Sequence, residues 1–297
     1  MQGSGIRLLK NLFYGIALYI ILIPQAYTQN QKPVVDLILP AENSELEYIS
    51  TKLSESPYFI VNSYINSIPD TDHRGEILLI ISDKLLPLLE NETYSAKFAL
   101  YVNSINYQKD NYTKSAAIYS DQPLHRQLSL LTKIISHKIT VGIPYESDDY
   151  KKQIESEINN FEEIDFLIVK TEANKLRSIN KIIQKSDVIL ATSESSIYNS
   201  QNIRSILLSS YRHQKPIIGP TEGFVKAGSL ASAATDSDQY ITEIISMIKN
   251  YSESGLIPES RHPNSFSVKF NLNVAESLGI KIPEEIQTTD NKRMTDK

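Results

Sequence analysis

From about residue 33 onward, short apolar runs alternate with longer amphipathic stretches, and this alternation predicts an α/β protein. Val34–Leu39 (VVDLIL) is a β-branched run stopped by Pro40. Glu76–Ser82 (EILLIIS), Lys97–Val102 (KFALYV) and Ala116–Tyr119 repeat the theme, each followed by polar turn residues. Runs with no polar face suit strands of a parallel sheet that helices cover on both sides. Between them, Ser44–Leu53, Lys84–Leu89 and, most clearly, Gln127–Ile135 place apolar residues at helical spacing. A second series starts at Lys138. Ile139–Ile143, Phe166–Val169, Asp187–Leu190 and Pro216–Ile218 read as strands, and Asp148–Phe161, Asn174–Gln184 and Asn202–His213 as the helices between them. Two such series in succession predict two Rossmann-like lobes with parallel sheets, with a boundary near Lys138.

The rest of the chain predicts how the lobes are joined. Ala227–Ala234 is a run of small residues suited to crossing closely between lobes. The helix expected over Asp236–Tyr251 carries Ile241, Ile244, Ile245 and Ile248 at helical spacing, a face that needs cover, and is assigned to lobe one. Phe266–Phe270 would cross once more. Asn271 as N-cap and Gly279 just past the end would bound a short closing helix on lobe two. Lobe one is thus expected over residues 33–137 plus 235–252, lobe two over 138–234 plus 266–286, with a three-strand hinge between them and a flexible tail over 287–297. No short-period repeat or heptad run interrupts this pattern.

The first thirty residues differ from all that follows. Arg7 and Lys10 precede the twelve-residue apolar run Leu12–Ile23, and Pro24–Thr28 offers a cleavage region before Gln29. Spanning a bilayer takes about 20 apolar residues in a helix, so residues 1–28 are expected to be an export signal, with a retained anchor as the minor reading. The chain has no cysteine, which removes disulfides, thiolate metal sites, a Cys nucleophile and a lipid-modified N-terminal Cys. Its net charge of −5 and the lack of a basic stripe argue against nucleic acid as a partner. The expectation is a free, exported, periplasmic protein.

Motifs for nucleotide phosphates, zinc proteases and serine hydrolases are missing. The five histidines (His73, His125, His137, His213, His262) lack ligand spacing, so neither a metal nor a cofactor is expected. What remains are polar and aromatic residues at predicted strand C-termini, where open α/β sheets bind ligands. The ligand-binding candidates are Ser82, Asp121, Gln122, Tyr145, Ser193, Glu194, Tyr198, Thr221, Glu222 and Ser232. Tyrosines would give stacking faces, and carboxylates would pair with an amine or accept from hydroxyls. A carboxylate pair, Glu194 with Glu222, leaves a cleft hydrolase as a rival.

Four segments carry a family resemblance: Tyr119-Ser-Asp121-Gln122-Pro123-Leu-His-Arg126-Gln127-Leu128-Ser-Leu130; Tyr198-Asn199 followed by Ile206–Arg212 and Lys215–Gly219; Glu222–Leu230; and Phe266–Val268 leading into Asn271–Ile280. Together these are similar to ABC-transporter substrate-binding proteins of the tryptophan/tyrosine type, in a branch with a D-Q-P-x-x-R-Q-L signature. The resemblance implies a non-catalytic periplasmic binding protein that captures a small molecule, an amino acid or related compound, by cleft closure. An ABC permease, or alternatively a membrane sensor or kinase, would then read the closed form. The sequence departs from the family at one place. L-P-D-P usually precedes the tyrosine, and here Thr192-Ser193-Glu194-Ser195 stands there. Loss of both prolines loosens the loop, and Glu for Asp moves the carboxylate outward by a methylene, so ligand identity transfers less well than fold.

Overall fold

The computed structural model describes residues 32–287; the segment expected to be an export signal and the tail beyond Gln287 lie outside the described residues. Five parallel strands form the first sheet: β1 (Val34–Leu39), β2 (Ile60–Ile65), β3 (Ile77–Ile81), β4 (Ala96–Val102) and β5 (Ser115–Tyr119), in the order β2-β1-β3-β4-β5. The central β3 is buried along its whole length, because both faces are covered. On one face, Leu37, Leu79, Phe98 and Ile118 meet Ile49 and Leu53 of the helix Ser44–Ser54. They also meet Tyr240, Ile241, Ile244, Met247 and Ile248 of the helix Ser237–Ser254. On the other, Ile38, Leu78, Ile80 and Ala99 pack on Leu85, Leu86 and Leu89 of the 3-10 segment Asp83–Glu90 and on Tyr107.

The second sheet holds β6 (Ile139–Tyr145), β7 (Ile164–Lys170), β8 (Val188–Leu190), β9 (Ile217–Ile218), β10 (Ala231–Ala234) and β11 (Ser267–Phe270), in the order β11-β10-β9-β8-β6-β7. All pairs are parallel except β10 with β11. One face packs on the helices Lys175–Lys185 and Ile203–Arg212 through Ile179, Ile182, Ile183, Ile206 and Leu207. Gly142 of β6 is held there by close approach: a Cβ would collide with Ser186 Oγ and with Ile182 Cγ2. The other face packs on Leu128 and Leu131, on Tyr150 and Ile154 of the helix Asp148–Glu157, and on Ala275 of the closing helix Leu272–Ser277.

Three sequence expectations change. Leu128 and Leu131 belong to the helix Leu124–Ile134, whose apolar face meets Val141, Ile143 and Leu190 of the second sheet. The boundary between lobes therefore lies at Ser120–Pro123, not near Lys138, because a helix follows the face that buries it. Glu222, expected at the C-terminal end of the strand Pro216–Ile218, instead opens the helix Glu222–Ala227. The small-residue run is likewise broken at Gly228, where φ is 122°, and only Ala231–Ala234 forms a strand. Among the described residues three connections join the lobes: Ser120–Pro123, Thr235–Asp236 and Asn264–Phe266. Among the described residues no helix is long and apolar enough to cross a membrane.

Candidate ligand-binding cleft

The D-Q-P-x-x-R-Q residues sit at the first connection and tie it to the other two. Gln122 Nε2 donates to Thr235 Oγ1 (3.0 Å), and the Thr235 hydroxyl donates to the Ser265 carbonyl (3.0 Å). Arg126 Nη1 donates to Gln122 Oε1 (2.8 Å), while its guanidinium lies 4.6 Å from the centre of the Phe266 ring. Gln127 acts as a length of strand: its amide donates to the Ala233 carbonyl (2.8 Å) and accepts from the Ala233 N–H (2.9 Å). Tyr240 donates to the Ser120 carbonyl (3.1 Å), bracing the same connection from lobe one.

Asp121 is buried and accepts from the Ser104 N–H (2.6 Å), the Ser104 hydroxyl (2.6 Å) and His262 Nε2 (3.2 Å). Burial by itself pushes this carboxyl up, but the hydrogen bond and charge of His262 and the two Ser104 donors more than offset it. The group sits below its ordinary value. It is a charged anchor for the start of the helix Ser104–Gln108 as well as a wall of the cleft.

That cleft narrows to a cavity of about 10 Å³, room for about one water, lined by Asp121, Gln122, Leu124 and Gln127 from the first connection and the helix after it, by Tyr150 and Gln153 from the helix after β6, and by Ala191, Thr192, Ser193 and Pro220 from the ends of β8 and β9. Gln153 also lines a wider groove of about 590 Å³, where Ser104, Ile105 and Gln108 of lobe one face Asp149, Lys152 and Ser156 of lobe two, with His262 beside them.

Of the sequence candidates, Asp121, Gln122 and Ser193 line the cavity together. The others are placed differently. Ser82 caps the 3-10 segment after β3, accepting from the Lys84 N–H (3.3 Å), in a left-handed conformation with φ 102°. Tyr145 is part of the lobe-two core. Glu194 is buried and accepts from the N–H groups of Glu146 (2.9 Å) and Ser147 (2.7 Å), so its carboxylate shapes the loop after β6. Tyr198, expected to be solvated in the cleft, is instead a core residue packed edge-on against Phe224 (5.8 Å), and burial raises its hydroxyl pKa strongly. Thr221 is exposed, and Glu222 pairs with Lys226 (3.0 Å) beside a separate groove that Asn271 and Leu272 line. Ser232 is wholly buried in β10, its hydroxyl donating to the Ala233 carbonyl (3.1 Å). The two carboxylates of the glycosidase-type pair make different contacts, Glu194 with the backbone of the loop after β6 and Glu222 with Lys226.

Sequence reasoning missed Tyr150 and Gln153. Their signal was available: Ser147 caps the helix that follows β6, accepting from the Tyr150 N–H (3.3 Å), so the first turn of that helix stands at a strand C-terminus. Positions i and i+3 of that turn then share a face.

The fold and the sequence both have relatives. A family model described as ABC transporter substrate binding protein matches residues 102–293. No curated protein matches the chain. Among solved structures, a ligand-free, open substrate-binding protein with adhesive properties from Clostridium difficile superposes with a TM-score of 0.67 at 13% identity, covering 89% of this chain and 98% of that one. A conserved domain protein from Vibrio cholerae gives 0.61 at 15%, covering 88% and 99%. A domain in complex with L-Trp from Streptococcus pneumonia gives 0.59 at 15%, covering 86% and 99%. At these identities the structures speak for the two-lobed fold, while the family model covers well over half the chain. The chain belongs to the ABC transporter substrate-binding protein family.

Proposed function

We propose that this protein captures a small polar solute between its lobes without chemical turnover, in the periplasm, and presents the closed complex to an ABC-type permease. The observation that carries this reading is the cavity at the lobe connection together with the groove beside it, where Ser104 and Gln108 of lobe one face Asp149 and Lys152 of lobe two and Gln153 lines both. Such a site binds well only when the lobes are together, and that differential affinity draws the population toward closure. Asp121 is the one charged residue in the cavity lining; the remainder are amides, hydroxyls, a phenol and small apolar groups. This chemistry suits a compact solute rich in hydrogen-bonding groups. The Streptococcus relative, solved with L-Trp, makes amino acids the first compounds to try.

The test is a thermal-shift screen of L-amino acids, monosaccharides and nucleosides, since a solute at 100 times its dissociation constant adds about 2.7 kcal/mol to stability. A hit is followed by inter-lobe distance measurement with and without the compound. A stabilising compound that leaves the distance distribution unchanged counts against closure. Consumption of that compound on incubation would instead make the protein an enzyme. Export is tested separately: the secreted protein should begin near Gln29, and one that begins at Met1 defeats the export reading.

A further inference from the structure

Across the cleft, the Asn103 side-chain amide donates to the Tyr150 hydroxyl at 3.0 Å. Asn103 follows β4 in lobe one, and Tyr150 lies in the first turn of the helix Asp148–Glu157 in lobe two. Both are buried. Neither group is there by default. Asn103 Oδ1 already caps the helix Ser104–Gln108, accepting from the N–H groups of Ile105 (3.1 Å) and Asn106 (3.2 Å). Its backbone N–H donates to Asp83 (2.8 Å). The Asn103 amide is thereby fixed with its NH2 end aimed at lobe two. The Tyr150 ring packs in the lobe-two core, yet the residue also lines the cavity. Its own hydroxyl hydrogen meets no acceptor among the described residues. Burial, and after it the nearby Asp121 carboxylate, hold the phenol protonated.

We propose that Asn103 and Tyr150 form the latch of the cleft: the Tyr150 hydroxyl positions lobe two against lobe one, and it keeps its proton for an acceptor on the captured solute. The latch rests on the closure reading above, but it can fail on its own. A hydroxyl that accepts from one lobe and donates into the cavity couples occupancy to closure, because a solute that takes the proton makes the oxygen a better acceptor for Asn103. The same geometry favours solutes that carry a carbonyl, carboxylate or hydroxyl oxygen at that point.

The absence of cysteine from the sequence makes the test clean. Spin labels go on Glu47→Cys in lobe one and Lys181→Cys in lobe two, both exposed helix positions, and inter-lobe distances are measured without added solute. Tyr150→Phe keeps the packing ring and removes the hydroxyl; Asn103→Ser keeps a capping oxygen but is too short to reach Tyr150. Each should lower the ratio of short-distance to long-distance populations by roughly 2- to 10-fold, the worth of one buried hydrogen bond. The double variant should do no more than either single one. Melting temperature is recorded alongside, so that unfolding is not read as opening. An unchanged distance distribution in Tyr150→Phe, or a parent protein that shows only the long distance, overturns the latch. Additive effects of the two substitutions overturn it as well, since independent residues share no bond. Failure of the closure reading looks different: the latch variants shift the distribution, but no stabilising compound does.

Discussion

Tyr198 has a buried hydroxyl with no hydrogen-bond partner among the described residues, in a core of Ile179, Ile197 and Leu207. A phenol oxygen in that setting costs free energy, and removing it relieves the cost. Tyr198→Phe should therefore leave the melting temperature equal or higher, whereas Tyr198→Ala should destabilise by about 3–5 kcal/mol, both checked by urea unfolding. Asp121 gives the opposite case. Its pKa lies below the ordinary value, so its stabilising effect is fully present above about pH 4 and is lost as pH falls through the folded-state value. Asp121→Asn should melt lower than the parent at pH 7. The gap should close as the pH is lowered past the carboxylate range, when the parent too becomes protonated; a gap that is constant from pH 7 down to about pH 3 would mean that the charge contributes nothing. The sequence marked both residues as strand-end positions; Asp121 stands two residues past β5, whereas Tyr198 lies eight residues past β8, in a bend. The sequence could not show which way each side chain turns. Glu194 faces two N–H groups almost fifty residues earlier in the chain, and Asp121 faces His262 from the far end of it. Partners at such separations leave no local pattern.

Elements were more legible where burial is complete. β1, β3, β4 and β5 fall on mainly apolar runs because both faces of the sheet are covered; the buried exceptions are hydrogen-bonded, Asp36 accepting from the Gly75 N–H and the Tyr94 hydroxyl and Lys97 donating to the Leu89 carbonyl. β2 escaped notice. It is the edge of its sheet, most of its residues are exposed or half-buried, and Asn62-Ser63 interrupts its apolar pattern. Over Lys84–Leu89 the apolar spacing suggests a helix, and the chain forms the 3-10 segment Asp83–Glu90 with Pro87 inside it, where the missing N–H cannot support an α-helical ladder. The helix Ser237–Ser254 was legible from its isoleucine stripe, and its N-terminus is fixed by a full capping box between Asp236 and Gln239. Ile244 lies fully buried at the centre of that stripe, against the first sheet. Ile244→Ala should lower stability by about 2–5 kcal/mol, read from the urea midpoint. A change under about 0.5 kcal/mol, the level of an ordinary surface substitution, would mean that the helix does not pack there.

At the scale of the molecule, two lobes joined by three connections can rotate about those connections but cannot tumble freely, and side chains that bind the connections to one another set the stiffness of the hinge. The sequence showed that Asp121-Gln122-Pro123 and Arg126-Gln127 form a motif and gave no sign that it is a hinge clasp, because its partners Ala233, Thr235, Ser265 and Phe266 lie far along the chain. Thr235 is the point where this clasp can be cut with least collateral damage. Its hydroxyl accepts from Gln122 of the first connection and donates to the Ser265 carbonyl of the third, so one oxygen links all three. Thr235→Val keeps the shape and removes both bonds. Two hydrogen bonds of ordinary worth put the loss at about 1–3 kcal/mol, or a fall in melting temperature of about 2–4 °C for each kcal/mol in a chain of this size. The distinguishing effect is on motion. With the clasp cut, the inter-lobe distance distribution should broaden on both sides, whereas loss of the Asn103–Tyr150 contact shifts it to longer distances only. Spin-label measurements on the labelled pair separate the two: broadening without a change in mean identifies a stiff hinge made loose. A lower melting temperature with an unaltered distribution would mean that Thr235 supports the fold and leaves the hinge alone.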